Sequence, residues 1–179
     1  MGVGIYAALV AETGGVAGGR VRVFGAETER IMASLCGQQL DAVTVYQYWF
    51  EGSPGGEVAG FWLHFSDRPT YYVNGYGSEA LQVTRGEPGS TEDMDAYGQM
   101  RVHPAVAGHP LAGLVGHRLL GAEPVCSQIQ GCRTGLLLRF DHASIIVLMY
   151  CDDLWFIPGD TPPAMMFEQL TVGTWTARP

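Results

Sequence analysis

The chain has 179 residues, nearly half of them apolar and few of them charged. It can therefore bury one substantial core, and a disordered or linker-like protein is excluded. The formal net charge is −8 and all ten basic residues are arginine, which argues against a nucleic-acid binder, because displacing phosphate counterions needs a basic footprint. Such a balance suits a basic partner drawn in by long-range field, or serves only to keep the surface soluble.

The N-terminal MGVGIYAALVAE has no basic segment ahead of its modest apolar run, so it does not read as a signal peptide. Tyr6 stands where a myristoylation motif needs Ser or Thr, and no apolar run approaches the length of a membrane span. Gly4 to Val10 and Val21 to Phe24 read as a first hairpin around the glycine-rich ETGGVAGGR, with a short helix as the alternative for IYAALVAE. Ala26 to Leu35 reads as a helix: Glu27 and Glu29 suit its first turn, Ile31, Met32 and Leu35 share a face, and Gly37 ends it.

Leu40 to Phe50 is strongly β-prone, with Val43, Val45, Gln47 and Trp49 on one face and Thr44, Tyr46, Tyr48 and Phe50 on the other. EGSPGGE reads as a mobile loop before strands at Gly60 to Phe65 and Thr70 to Val73, and Asn74-Gly75 as a turn before a strand at Leu81 to Thr84. From Arg85 to Ala107 the pattern breaks into a connection with an acidic cluster, Glu92, Asp93 and Asp95, and one helical turn capped by Ser90 or Thr91.

The stretch Gly135 to Ile157 has three apolar runs, Leu136 to Phe140, Ile145 to Tyr150 and Leu154 to Ile157, separated at Asp141-His142 and Asp152-Asp153. It echoes Gly60 to Val83: Gly60 matches Gly135, Leu63 Leu138, Phe65 Phe140, Val73 Val147, Tyr76 Tyr150 and Val83 Ile157. The lead-in echoes too, with Leu111, Leu114, Gly116 and Leu119 answering Met32, Leu35, Gly37 and Leu40. The expected fold is mainly β: two pseudo-symmetric antiparallel meander repeats, about 30–85 and 109–159, with short lead-in helices, packed as a single domain over 1–179. LTVGTW adds a last strand after the proline-interrupted segment at Pro158 and Pro162-Pro163.

Cys36, Cys126, Cys132 and Cys151 form no paired CxxC set and fall in or beside apolar runs, so buried reduced thiols and a cytoplasmic protein are expected. Cys126 and Cys132 flank a turn, and whether they pair is open at this stage. His103, His109 and His117 lack the spacing of a helical metal pair, Asp141-His142 fills a turn, and His64 faces outward, so neither metal nor cofactor is expected. No GxSxG, P-loop or GxGxxG before a helix is present.

The remaining candidates form a recognition surface: Tyr46, Tyr48 and Trp49 as aromatic anchors, Glu92, Asp93 and Asp95 as an acidic connection, and Asp152, Asp153 and Trp155 at an acidic hairpin tip that aligns with Ser78-Glu79. The unit Gly, short apolar strand, loop, Gly-Leu-x-Leu-x-Phe-Asp, apolar strand, Asp-Asp-x-x-x-Ile resembles small β-rich bacterial proteins, many of the immunity-protein class of interbacterial toxin systems. The resemblance covers Leu111 to Ile157, and Met32 to Val83 more loosely. It implies a cytoplasmic, non-catalytic protein that binds a basic toxin domain and occludes its active site, with no nucleic-acid or membrane partner, and it assigns no site residue. A different reading is a small-molecule-binding or hydrolytic enzyme with a pocket between the repeats near His142 or Cys151. A third is a structural subunit, which a long uncovered sheet edge would mark.

Overall fold

A computed structural model describes residues 24–76, 80–129, 132–162 and 169–175. The expected N-terminal hairpin, the Ser78-Glu79 turn and the Met165 to Phe167 segment lie outside these residues, apart from Phe24, which opens the helix. The protein is mainly β, and among the described residues there are one α-helix, α1 (Phe24–Leu35), and two antiparallel sheets.

Sheet one is built from β1 (Leu40–Phe50), β2 (Ser53–Phe65), β3 (Tyr71–Tyr76), β4 (Ala80–Arg85), β5 (Glu92–Asp93) and β6 (Gln99–Pro104), in the order β4-β3-β2-β1-β6-β5. Sheet two is built from β7 (Leu119–Ser127), β8 (Cys132–Phe140), β9 (Ser144–Tyr150), β10 (Asp153–Pro158) and β11 (Leu170–Val172), in the order β10-β9-β8-β7-β11. Each sheet is thus a four-stranded meander whose first strand is also paired on its far side by a later strand. Even an irregularity recurs: the pairing slips between Leu40 and Ala42 in β1 and between Leu119 and Gly121 in β7.

The sheets pack face to face over one core drawn from both, with Val43, Val45, Phe61 and Val73 on one side and Leu136, Leu138, Ile145 and Val147 on the other. Full burial of side chains this size stabilises by about 1.5–3 kcal/mol each. Phe61 meets Phe156 edge to face across the layers, 5.6 Å between centroids. Sheet two is buried on its outward side as well, where Val125, Leu137, Ile146 and Leu148 form a second cluster. This is why β8 and β9 read as unbroken apolar runs instead of alternating ones.

α1 places Ile31, Met32 and Leu35 in the core and ends before Gly37, whose φ of 83° only glycine adopts freely. It also shields the edge of sheet one: the Val83 N–H donates to the buried Thr28 hydroxyl at 3.3 Å. The lead-in to β7 is shorter than expected, a single 3-10 turn at Ala112–Leu114. The lead-ins join the two halves directly, since Leu40 N–H donates to the His117 carbonyl at 2.9 Å and Leu119 N–H to the Gln38 carbonyl at 3.0 Å.

Several expectations need correction. EGSPGGE is not a loop: Glu51 and Gly52 alone make the turn, with φ of 46° and 79°, and β2 starts at Ser53. Two positive φ values in a two-residue connection match the strand twist of a tight hairpin. Gly55 is needed because the Tyr48 ring lies where its Cβ would be. Asn74-Gly75 is strand, not turn, and its glycine makes room for the Met149 side chain from sheet two. The Arg85 to Ala107 connection contains β5, β6 and a 3-10 turn at Asp95–Tyr97, and β6 pairs with β1 along Thr44 to Trp49. Thr91 caps no helix; its hydroxyl accepts from Val102 N–H at 3.3 Å.

Val83 pairs with Val73, whereas Val147 pairs with Phe156 and not with Ile157. The cause is loop length: β3 and β4 are separated by residues 77–79, β9 and β10 by Cys151 and Asp152 only. Cys36 and Cys151 are exposed, not buried, and Cys126 and Cys132 are half-buried. Cys151 opens a tight turn with φ of 51°. Cys126 sits opposite Arg133 and Cys132 opposite Ser127, so the two cysteines point to opposite faces of sheet two and cannot bridge. No described helix is long and apolar enough to cross a membrane.

Candidate functional site

The β1–β2 hairpin extends further than its neighbour β3, which pairs with β2 only from Gly60 to Leu63. Beyond the sandwich, β1 is supported by β6 and the short β5, and this edge carries most of the expected recognition residues. Tyr46 points outward and meets Trp62 edge-on at 6.3 Å, and Trp62 stacks on Tyr72 at 4.5 Å. Trp62 is buried and the two tyrosines are half-buried, and burial together with the negative charge of Glu92 pushes the Tyr72 hydroxyl above its ordinary pKa. On the same outward side, Thr44 and His64 are hydrogen-bonded at 2.9 Å, and burial holds His64 below the usual histidine range against the opposing pull of Glu87.

Trp49 occupies the other side. The Arg101 guanidinium lies 4.4 Å over its ring, the His103 ring meets it at 5.6 Å and 90°, and its indole N–H donates to His103 Nε2 at 3.4 Å. His103 Nε2 also lies 3.3 Å from Gln47 Oε1, and its Nδ1 lies 2.9 Å from the Pro104 carbonyl. Tyr46 and Trp49 are therefore spent on intramolecular contacts, on opposite faces, and do not form one surface.

Tyr48 has a different role. Its hydroxyl donates to the Tyr97 carbonyl at 2.7 Å, and its ring crowds both Gly55 and Gly98. It pins the turn that carries the acidic cluster. Glu92 and Asp93 lie opposite Met100 and Gln99 and are exposed. Asp95, with φ of 54°, is also exposed, and its N–H donates to Asp93 Oδ1 at 3.1 Å. At the crest stands Tyr97, 74% exposed, a residue absent from the expected set. Its signal was a lone aromatic next to a glycine at the end of the acidic run. Asp152, Asp153 and Trp155 belong to sheet two, at the β9–β10 tip; Trp155 is exposed and meets Tyr150 edge-on at 6.4 Å.

His142 and Cys151, the two residues beside which the enzyme reading places a pocket, are exposed at opposite ends of β9. His109 is half-buried: its ring meets Phe156 at 5.1 Å, its Nδ1 accepts from Leu111 N–H, and burial, helped by His103, lowers its pKa.

One cluster arises that sequence spacing concealed. His117 precedes β7, Asp141 and His142 form the β8–β9 turn, and the three side chains converge. His117 Nδ1 lies 2.7 Å from Asp141 Oδ1, His142 Nδ1 lies 3.7 Å from the same oxygen, and the two imidazoles stack with centroids 3.3 Å apart. The hydrogen bond from His117, with a smaller contribution from Arg118 N–H, holds Asp141 below the usual carboxylate range. No family model matches the sequence, and no match was found among curated proteins or solved structures.

Proposed function

We propose that this chain is a non-catalytic binding protein that docks one basic protein partner through the turn Glu92 to Tyr97. Following the resemblance of Leu111 to Ile157, the partner is a toxin domain and the chain is an immunity protein that occludes it. One observation carries the reading. Three exposed carboxylates surround an exposed tyrosine on a turn whose backbone is held by the Tyr48 hydroxyl. A rigid aromatic with a polar tip is the residue type that dominates interface energetics, and its truncation typically costs 2 kcal/mol or more, roughly. The carboxylates and the net charge of −8 contribute mainly to encounter rate.

The test is a pull-down at low and moderate salt with the wild-type chain, Tyr97→Ala and the triple change Glu92→Gln, Asp93→Asn, Asp95→Asn. A stoichiometric basic protein should be retained by the wild type, weakened by salt and lost with Tyr97→Ala. Co-expression should then suppress that protein's toxicity. Equal retention by all three chains would overturn the assignment of this turn, and capture of a partner that is not toxic would overturn the immunity reading.

A further inference from the structure

We propose that His117, Asp141 and His142 bind a single divalent transition-metal ion of the zinc class. Two imidazoles and one carboxylate are a donor set that borderline ions prefer, whereas calcium and magnesium take oxygen ligands. Three protein ligands leave a coordination position for water or a further ligand.

The geometry is close to what an ion requires. Ligand atoms around tetrahedral zinc stand about 3.3 Å apart, given metal–ligand bonds of about 2.0–2.1 Å. The separations from Asp141 Oδ1, 2.7 Å to His117 and 3.7 Å to His142, fall on either side of that value. One ligand-capable atom from each of the three residues lies within 4.8 Å of the others. To share an ion the two imidazoles, now stacked at 21° between planes, turn about their side-chain bonds until a ring nitrogen of each faces it.

The backbone under each ligand is already fixed. His117 N–H donates to the Leu114 carbonyl at 3.2 Å, and its own carbonyl accepts from Leu40 N–H. Asp141 N–H donates to the Arg118 carbonyl at 3.1 Å, while Arg118 N–H donates to Asp141 Oδ2 at 3.3 Å. This second oxygen is thus held as in the outer contacts of known metal carboxylates, leaving Oδ1 facing the two rings. His142 sits in a turn closed by Phe140 N–H to the Ala143 carbonyl at 2.8 Å. Arg118, the adjacent cation, donates through Nη1 to the Gly37 carbonyl. The bland alternative is a hydrogen-bonded turn with no ion affinity, and it explains the His117–Asp141 contact alone. It does not explain why the His117 and His142 imidazoles, from two separate segments, come together beside that carboxylate.

The inference is independent of what the acidic turn binds. An ion here would tie the entry of β7 to the β8–β9 turn, so it should raise the melting temperature as well as bind. The test is calorimetric titration of the full chain, freed of metal by chelation, with zinc chloride. Thermal melts and the visible absorption of a cobalt-loaded sample would accompany it. One ion per chain is expected, with tetrahedral cobalt bands, and affinity should fall at least tenfold in both His117→Ala and His142→Ala. His142 lies in an exposed turn, so His142→Asn serves as a variant that leaves the fold intact. His103→Ala is the control and should bind as the wild type does. Zinc binding that survives loss of both His117 and His142, or a melting temperature unmoved by zinc, would overturn the proposal.

Discussion

Gly37 and Gly116 bond to each other's outgoing strand: Gly37 N–H donates to the Leu119 carbonyl, and Gly116 N–H to the Leu40 carbonyl, both at 2.7 Å. Both glycines hold positive φ, 83° and 88°, and nothing stands within 4 Å of a Cβ added at either. Replacement by alanine should therefore cost backbone conformation alone, about 1–2 kcal/mol each. Gly113→Ala, at an equally open site without positive φ, should be near neutral. Urea denaturation measures all three. Because the two glycines share one bonded square, the double replacement should cost less than the sum.

A steric contrast separates Gly135 from Gly75. A Cβ on Gly135 would meet the Val147 carbonyl, a backbone group that cannot move aside, whereas one on Gly75 would meet the flexible end of Met149. Gly75→Ala should destabilise by about 1–3 kcal/mol, in the overpacking range. Gly135→Ala should cost more. Equal unfolding midpoints for the two variants would show that β8 and β9 can shift apart.

Acid sensitivity should follow His109 and His64. Burial lowers both pKa values, with His103 adding to the effect on His109 and Glu87 opposing it on His64. In the unfolded chain a histidine takes its proton near pH 6.5, roughly, before the folded one does. The stability these residues contribute is thus intact above that value and lost as pH falls below it. His109→Gln keeps an acceptor for Leu111 N–H and should flatten the decline in melting temperature between about pH 7 and about pH 5. An unchanged slope would rule out His109 as its source.

The β1–β2 turn offers a gain. Glu51 holds φ of 46° ahead of Gly52 at 79°, a conformation asparagine tolerates far better than glutamate. Glu51→Asn should stabilise by about 0.5–1 kcal/mol, read by thermal or chemical denaturation.

Much of the fold was legible because apolar periodicity reports burial directly. Leu40 to Phe50, Ile145 to Tyr150 and the helix around Ile31 and Leu35 were found within a few residues of their ends. What failed were positions where one residue type serves two purposes. The glycines at 55 and 75 read as turn formers, yet they sit in strands beneath Tyr48 and Met149. The strand at Gln99–Pro104 was missed although it alternates polar and apolar residues, because it is short, ends in proline and has a single β-branched side chain. The candidate sites fared worse for a plain reason. Tyr97 is distinguished by exposure and the His117–Asp141–His142 cluster by proximity, and neither property is written in local sequence.

The double-sided burial of sheet two divides the molecule's freedom to vary. Leu137 and Ile146 are shielded outside while Leu136 and Leu138 are shielded inside, so successive positions of β8 are all under constraint. On β1 the outward positions Thr44, Tyr46 and Phe50 are half-buried or exposed and accept replacement more readily. Lineages of this protein should therefore drift at different speeds in the two halves, with the first diversifying more freely and the second holding its apolar character. A library of random variants sorted for solubility would expose that asymmetry as a depletion of polar codons across 136–149 that has no equal across 44–50.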